Sequence, residues 1–209
     1  MYDMIISNGR IVDGTGQPAF LGDIAINDGK IAAVGKVDAN AKQFIDAQGY
    51  LVTPGWVDSH THFDGQASWD ANLSPAPLHG TTTVLMGNCG VGFAPCKPNE
   101  HDMLIRLMES VEDIPGTALT EGITWGWETF PEYLNALDKM PRAIDIATQV
   151  PHCALRVYVM GERGANNEKA TDDDLQQMRQ LVAEGLDAGA LGVSTSQTKF
   201  HVTDLGEVV

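Results

Sequence analysis

From Pro54 onward the chain alternates short β-rich apolar runs with stretches of helical spacing, and this rhythm limits its possible folds more than any other feature. Residues 51–57, broken by Pro54-Gly55, read as a short buried strand. Residues 81–86 are a second β-rich run, closed by Gly87-Asn88-Cys89-Gly90. The spacing predicts a helix over 101–114, with Met103, Leu104, Leu107, Met108 and Val111 on one side, and another over 128–140, with Phe130, Tyr133, Leu134 and Leu137 on one face. A third strand is expected at 144–150. Thr171 then caps a helix whose Asp174 can reach back, and Leu175, Met178, Leu181, Val182 and Leu186 form its apolar stripe. Gly189 suits the end of that helix, and residues 190–194 read as a fourth strand. Strands alternating with helices imply right-handed βαβ units around a parallel sheet. Residues 54–209 hold four such units, well short of the roughly 250 residues of an eight-unit barrel. The choice is therefore an open sheet or about half a barrel. With no helix after the fourth strand, the expectation is of a truncated barrel.

The first fifty residues have a different rhythm. Asn8-Gly9 and Asp28-Gly29 lie between β-rich runs, the strongest short hairpin signal, so residues 1–53 are expected to form antiparallel strands of a small β-sandwich-like module.

The chain's acidity excludes some partners. With 28 acidic and 13 basic residues and a formal charge of −15, it lacks the clustered Lys and Arg that nucleic acid or an anionic membrane would need. The acidity reads as a solvated surface. At 43% hydrophobic the chain can build a core, and no apolar run approaches membrane-spanning length. Cys89, Cys96 and Cys153 are too few, and odd in number, for a secreted disulfide framework. The N-terminus has neither a basic start nor a long apolar core. A cytoplasmic protein is the expectation.

Chemistry concentrates at the end of the first strand. Side chains two apart on a strand share a face, so Asp58, His60, His62 and Asp64 are expected to converge there. Neutral imidazoles suit zinc, which lowers the pKa of bound water to about 7 and polarises a carbonyl. The alternative is two unrelated histidines near a strand end. Cys89 follows the second strand and, in a parallel barrel, would share the rim with the histidines; a thiolate there can bind zinc, whereas a buried apolar cysteine is the ordinary alternative. His152 follows the third strand, suited to a substrate contact or a transition-state hydrogen bond, with a structural role as the alternative. His79, His101, His201, Cys96 and Cys153 read as structural or incidental, and Glu162-Arg163-Gly164 as a solvated loop. No dinucleotide or phosphate-binding glycine loop and no Gly-x-Ser-x-Gly elbow is present.

Val12-Asp13-Gly14-Thr15-Gly16, the run from Pro54 through His60-Thr61-His62 to Asp64, Gly80-Thr81-Thr82-Thr83-Val84, Gly87-Asn88-Cys89-Gly90 and Gly189-Ala190-Leu191-Gly192-Val193-Ser194-Thr195-Ser196 together resemble the amidohydrolase superfamily, and within it the N-acyl-D-amino-acid deacylase branch. The resemblance runs along essentially the whole chain; His-x-His marks the superfamily and Asn-Cys-Gly is the more specific feature. It implies an α/β fold, the N-terminal half of a metal-dependent hydrolase (β/α)8 TIM barrel (54–209) preceded by part of a β-sandwich (1–53). It implies zinc held by His60, His62 and a bridging Cys89, and hydrolysis of the amide of N-acyl-D-amino acids, with a small-molecule substrate as the partner. The family's later ligands, two histidines and a proton-accepting aspartate, have no counterpart here, so the 209-residue chain alone is expected to be inactive. One alternative is a cyclic amidohydrolase of the hydantoinase or dihydropyrimidinase kind. Those relatives usually carry a metal-bridging lysine at the end of strand four, where this chain offers only Lys199 a few residues beyond. The other alternative is a non-catalytic metal-binding fragment.

Overall fold

The computed structural model describes residues 1–197 and divides into two compact units, one spanning Met1–Gly55 and the other beginning at Trp56. His201 and Lys199 lie outside the described residues.

The first unit is a five-stranded sheet built from β1 (Tyr2–Ile11), β2 (Phe20–Asn27), β3 (Lys30–Gly35), β4 (Ala41–Asp46) and β5 (Leu51–Val52). The antiparallel pairs β1–β2 and β2–β3 give the order β3-β2-β1-β4, and β1 also pairs in parallel with β4 and β5. Asp28-Gly29 makes the two-residue turn between β2 and β3, with φ of 50° and 71°, the left-handed values such a hairpin demands. Asn8-Gly9 does not turn the chain back. β1 runs straight through it, and the register with β2 skips between Ile6 and Gly9, a β-bulge. Asn8 takes φ 57°; the Asp23 carboxylate accepts from its backbone N–H at 3.0 Å and the Asp46 carboxylate from its side-chain amide at 3.0 Å. Those long-range partners satisfy the polar groups of Asn8 without a reversal.

The second unit is mixed α/β. β6 (Trp56–Asp58), β7 (Thr81–Met86) and β8 (Asp145–Thr148) pair in parallel in that order, and β9 (Val150–Pro151) pairs in parallel with β10 (Val193–Ser194). Two expected strands are divided. Residues 51–57 form β5 and β6, which pair with different neighbours on either side of Thr53-Pro54-Gly55; proline brings no N–H to a ladder. Nor is the second piece buried: Trp56 and Val57, on the outer strand of its sheet, are 60% and 66% exposed. Residues 144–150 likewise form β8 and β9, because the chain leaves β7 at Gln149 and takes β10 as its partner.

The helices are α1 (His101–Glu112), α2 (Gly116–Gly122), α3 (Phe130–Asp138), α4 (His152–Met160), α5 (Glu162–Ala165) and α6 (Asp172–Asp187). α3 and α6 each open on a capping box, Thr129 with Glu132 and Thr171 with Asp174, where side chain and backbone satisfy each other's orphan donors. Gly189 follows α6 at φ 116° and donates to the Leu186 carbonyl. α2 and α4 were not foreseen, and 162–165 is a helical turn whose Arg163 pairs with Asp174 at 3.0 Å rather than an open loop. Leu104, Leu107 and Met108 of α1 and Phe130, Tyr133 and Leu137 of α3 enter one core with Val84 and Met86 of β7 and Val150 of β9. That core fixes β7 and β9, whereas β6, after which the His60-Thr61-His62 segment follows, is exposed along its length. Among the described residues no helix is long and apolar enough to cross a membrane.

Candidate metal centre

His60 and His62 lie just past β6, in irregular chain rather than on the strand itself. They nevertheless meet, with ring centroids 5.5 Å apart at 61°. His60 Nε2 is 3.3 Å from Cys89 Sγ, and one ligating atom from each of His60, His62 and Cys89 lies within 4.8 Å of the others. His60 is exposed, while His62 and Cys89 are half-buried.

The two acidic residues expected on the same face do other work. Asp58 accepts from the His60 backbone N–H at 3.2 Å. Asp64 turns inward, 2% exposed, and accepts from Gly87 N–H at 2.7 Å. Beyond Asp58 the chain leaves the pleat, so the two-residue alternation stops and each side chain goes where its hydrogen bonds lead.

Cys89 sits in a loop held from three sides. Gly87 (φ 72°) passes so close to the Gln149 backbone that a Cβ would collide with the Gln149 carbonyl, so glycine is required there. Asn88 donates its amide to the Thr61 and Leu85 carbonyls at 3.1 and 2.8 Å and accepts from Gln149 Nε2 at 3.1 Å. Thr61 donates through both its backbone N–H and its hydroxyl to Leu85 O. From β10, the Ser194 hydroxyl donates to the Gly87 carbonyl and accepts from Gly90 N–H. Cys89 takes φ 54°, a left-handed conformation costly for any residue but glycine and held here by that network.

Burial first, then the charge of Glu112, a hydrogen bond to Glu112 and the charge of Asp64, push the Cys89 thiol up to about 11. Burial likewise raises the Asp64 carboxyl to about 7 against backbone hydrogen bonds that lower it. Without a cation, Cys89 is thus a neutral thiol at physiological pH, and an ion binding there must displace its proton. Glu112, the last residue of α1, places Oε1 3.2 Å from His62 Nε2. Neither the role of Glu112 nor that of Ser194 was anticipated. The signal for Glu112 was present: a carboxylate at the i+4 and i+8 positions from Met108 and Leu104, on an otherwise apolar stripe.

His152 opens α4, and its Nδ1 is 3.3 Å from Thr195 Oγ1. Burial, aided by the Arg156 charge, lowers its pKa, so the ring is neutral. The neighbouring Cys153 N–H donates to Gly90 O at 2.8 Å, tying the start of α4 to the Cys89 loop. The residues expected to be structural have local surroundings of their own: His101 stacks on Trp125 at 3.8 Å, Cys96 is 1% exposed, and His79 ends a 3-10 turn before Gly80.

A His-x-His pair and a cysteine thus meet in one cluster beyond two parallel strands, and the chain belongs to the amidohydrolase family, which matches residues 43–205. It is 34% identical over 195 residues to D-aminoacylase and 37% identical over 194 residues to N-acyl-D-aspartate deacylase, both of Alcaligenes xylosoxydans xylosoxydans. These alignments cover 93% and 92% of the chain but 37% and 36% of those relatives, so the chain spans little more than a third of their length. Among solved structures, a D-aminoacylase matches with TM-score 0.78 and 35% identity, covering 93% of this chain and 38% of that one. An N-acyl-D-glutamate deacylase from Bordetella bronchiseptica, complexed with zinc and a phosphonate mimic of the tetrahedral intermediate, matches with TM-score 0.72 and 32% identity, covering 93% and 38%.

Proposed function

We propose that this chain carries part of the zinc centre of an N-acyl-D-amino-acid deacylase, with His60, His62 and Cys89 as metal ligands. One observation carries the reading: three nitrogen and sulfur donors, from loops after two adjacent parallel strands, within 4.8 Å of one another. Nitrogen and sulfur ligands of one tetrahedral zinc stand about 3.5 Å apart, and the His60–Cys89 separation is 3.3 Å. Imidazole and thiolate are the donors zinc favours. When bound, the ion supplies Lewis-acid polarisation of an amide carbonyl and a nucleophile at neutral pH. The chain's own residues hold and aim it: Asn88, Thr61 and Ser194 fix the Cys89 loop against the His60-Thr61-His62 segment. His152, neutral and joined to that loop through Cys153, is the residue we assign to a substrate hydrogen bond.

The same reading makes residues 1–53 a β-sandwich segment and 54–209 the first four βα units of a TIM barrel. The consecutive parallel order β6-β7-β8 and the printed activities of the relatives support it. The partner is then a small N-acyl-D-amino acid. The 209-residue chain alone is expected to bind zinc without turnover, since the resemblance calls for further ligands and a proton acceptor.

Two measurements test this. Zinc titration should show uptake by the chain that His62→Ala and Cys89→Ala abolish; no uptake by the unaltered chain defeats the ligand assignment. The product of the complete reading frame, zinc-loaded, should release free amino acid from a panel of N-acyl-D-amino acids. No release from any member defeats the substrate assignment.

A further inference from the structure

We propose that Thr195 is a positioning residue for His152: its hydroxyl donates to Nδ1 and holds the neutral ring as the Nε2–H tautomer, so that His152 offers a substrate a hydrogen-bond donor, suited to a carbonyl or carboxylate oxygen. The inference rests on the substrate contact assigned to His152 above and adds the residue that sets which way its hydrogen bond runs.

Placement comes first. His152 opens α4 and Thr195 follows β10, 43 residues on in sequence, yet Oγ1 and Nδ1 stand 3.3 Å apart. Each is the chain neighbour of a residue that holds the Cys89 loop. The Cys153 N–H donates to Gly90 O at 2.8 Å, and the Ser194 hydroxyl accepts from Gly90 N–H at 3.1 Å. A Cβ on Gly90 would stand 3.3 Å from Thr195 Cα and 3.6 Å from Cys153 Sγ, so the loop, the start of α4 and the end of β10 close on one point. The pair is therefore anchored from two elements to the loop that carries a proposed metal ligand.

Direction comes second. In a neutral imidazole one nitrogen donates and the other accepts, and the hydrogen bond made at one fixes the role of the other. The Thr195 hydroxyl can do either, so the surroundings of Nδ1 decide. Nδ1 is the ring nitrogen nearer the backbone, and His152 is the first residue of a nine-residue helix, where unpaired N–H groups make the potential positive. That potential favours a lone pair at Nδ1 over an N–H. It also opposes a protonated ring, in the same sense as the burial and the Arg156 charge that lower the His152 pKa. Neutral histidine in water already favours the Nε2–H form, so hydroxyl, helix and intrinsic preference agree. Thr195 is exposed, and its hydroxyl is free to rotate toward the ring.

The test is the nitrogen NMR of the histidine rings in the isotope-labelled 209-residue chain, at about pH 8 where a neutral ring is ensured. The signals lost in His152→Gln identify that ring. In the unaltered chain its Nδ1 should be the unprotonated nitrogen and its Nε2 the protonated one. Thr195→Val, which keeps the shape and removes the hydroxyl, should move the two nitrogen shifts toward each other as tautomers mix, and Thr195→Ser should restore their separation. A protonated Nδ1 in the unaltered chain overturns the proposal, and so does a Thr195→Val spectrum identical to the unaltered one. Should Thr195→Val not fold, Thr195→Ala takes its place with the same two outcomes. In the zinc-loaded product of the complete reading frame, His152→Gln should lower turnover of N-acyl-D-amino acids, and Thr195→Val should lower it about 2- to 5-fold, the worth of one hydrogen bond. Turnover unchanged in His152→Gln defeats the substrate contact on which the inference rests. The two failures are distinct, because one is read in the ring spectrum and the other in turnover.

Discussion

In the unit that starts at Trp56, α1, α3 and the strands β7 and β9 send Leu104, Met108, Tyr133, Val84 and Val150 into a core where each is at most 2% exposed. In the unit Met1–Gly55, the apolar residues buried to that depth are Ile5, Ile11 and Ala25. Phe44, Leu51 and Ile31 of that unit are at least 60% exposed. One unit is organised by burial, the other by its ladder of backbone hydrogen bonds and by aspartates that pin its turns. Asp3 accepts from Asp28 N–H and from Lys42, Asp13 from Thr15, and Asp46 from Asn8 and Gln48. The difference separates what holds the candidate site from what holds the sheet that precedes it in sequence: site geometry is backed by a packed core, whereas the first sheet is backed by local polar contacts.

The largest effect expected from this contrast comes from emptying the core. Leu104→Ala removes a side chain 2% exposed, and such deletions cost about 2–5 kcal/mol. Phe44→Ala removes a larger side chain that is 60% exposed and should change stability by no more than about 0.5 kcal/mol. Urea denaturation of the two variants is the measurement. Equal losses would mean that Phe44 is covered in solution, and the contrast between the units would fall.

Next in size is the loop that carries Cys89. Asn88→Ala deletes an amide that bridges Thr61 and Leu85 and strands the partner groups in a site where Asn88 is 6% exposed. A loss of about 1–3 kcal/mol is expected. Zinc uptake should weaken with it, because the same amide ties the Cys89 loop to the histidine segment. Full stability together with unchanged zinc affinity would show that the core alone sets the loop.

Local signals made much of this molecule legible from its residues. The Thr171–Asp174 capping box, the Asp28-Gly29 turn and the stripes of α1 and α3 depend on neighbours within four residues, and each formed as its sequence implies. Features that depend on distant partners were not legible. Asn8-Gly9 carries a hairpin signal yet bulges, because Asp23 and Asp46 satisfy it from across the sheet. Residues 51–57 and 144–150 each look like one strand, but each is divided by a change of pairing partner that hydrophobic pattern does not encode. In the site, His60, His62 and Cys89 do meet, though by a route other than strand alternation. Their convergence comes from Thr61 and Asn88 hydrogen bonds between two loops 24 to 27 residues apart in sequence.

The smallest expected effect probes the other half of the comparison, the polar pins of the first sheet. The Asp3 carboxyl is held below the ordinary aspartate range, chiefly by its hydrogen bond from Lys42 and then by Asp28 N–H. Asp13 is lowered by the Thr15 backbone and hydroxyl, and Asp46 by the Asn8 amide and then Gln48 N–H. A carboxylate with a lowered folded-state pKa stabilises the fold above its unfolded pKa of about 3.9, and that stabilisation is lost as pH falls through the folded value. All three groups are exposed to solvent screening, so each loss is small. Carboxylate titration followed by NMR should show the three aspartates titrating below ordinary aspartate values, with the amide signals of Thr15, Asp28 and Gln48 moving in step. Raising the salt to 1 M shortens the screening length to about 3 Å and should move Asp3, which faces Lys42 at 2.6 Å, more than Asp13 or Asp46, whose lowering comes from neutral donors. If all three titrate at ordinary values, the pins contribute nothing, and the first sheet must owe its order to the backbone ladder alone.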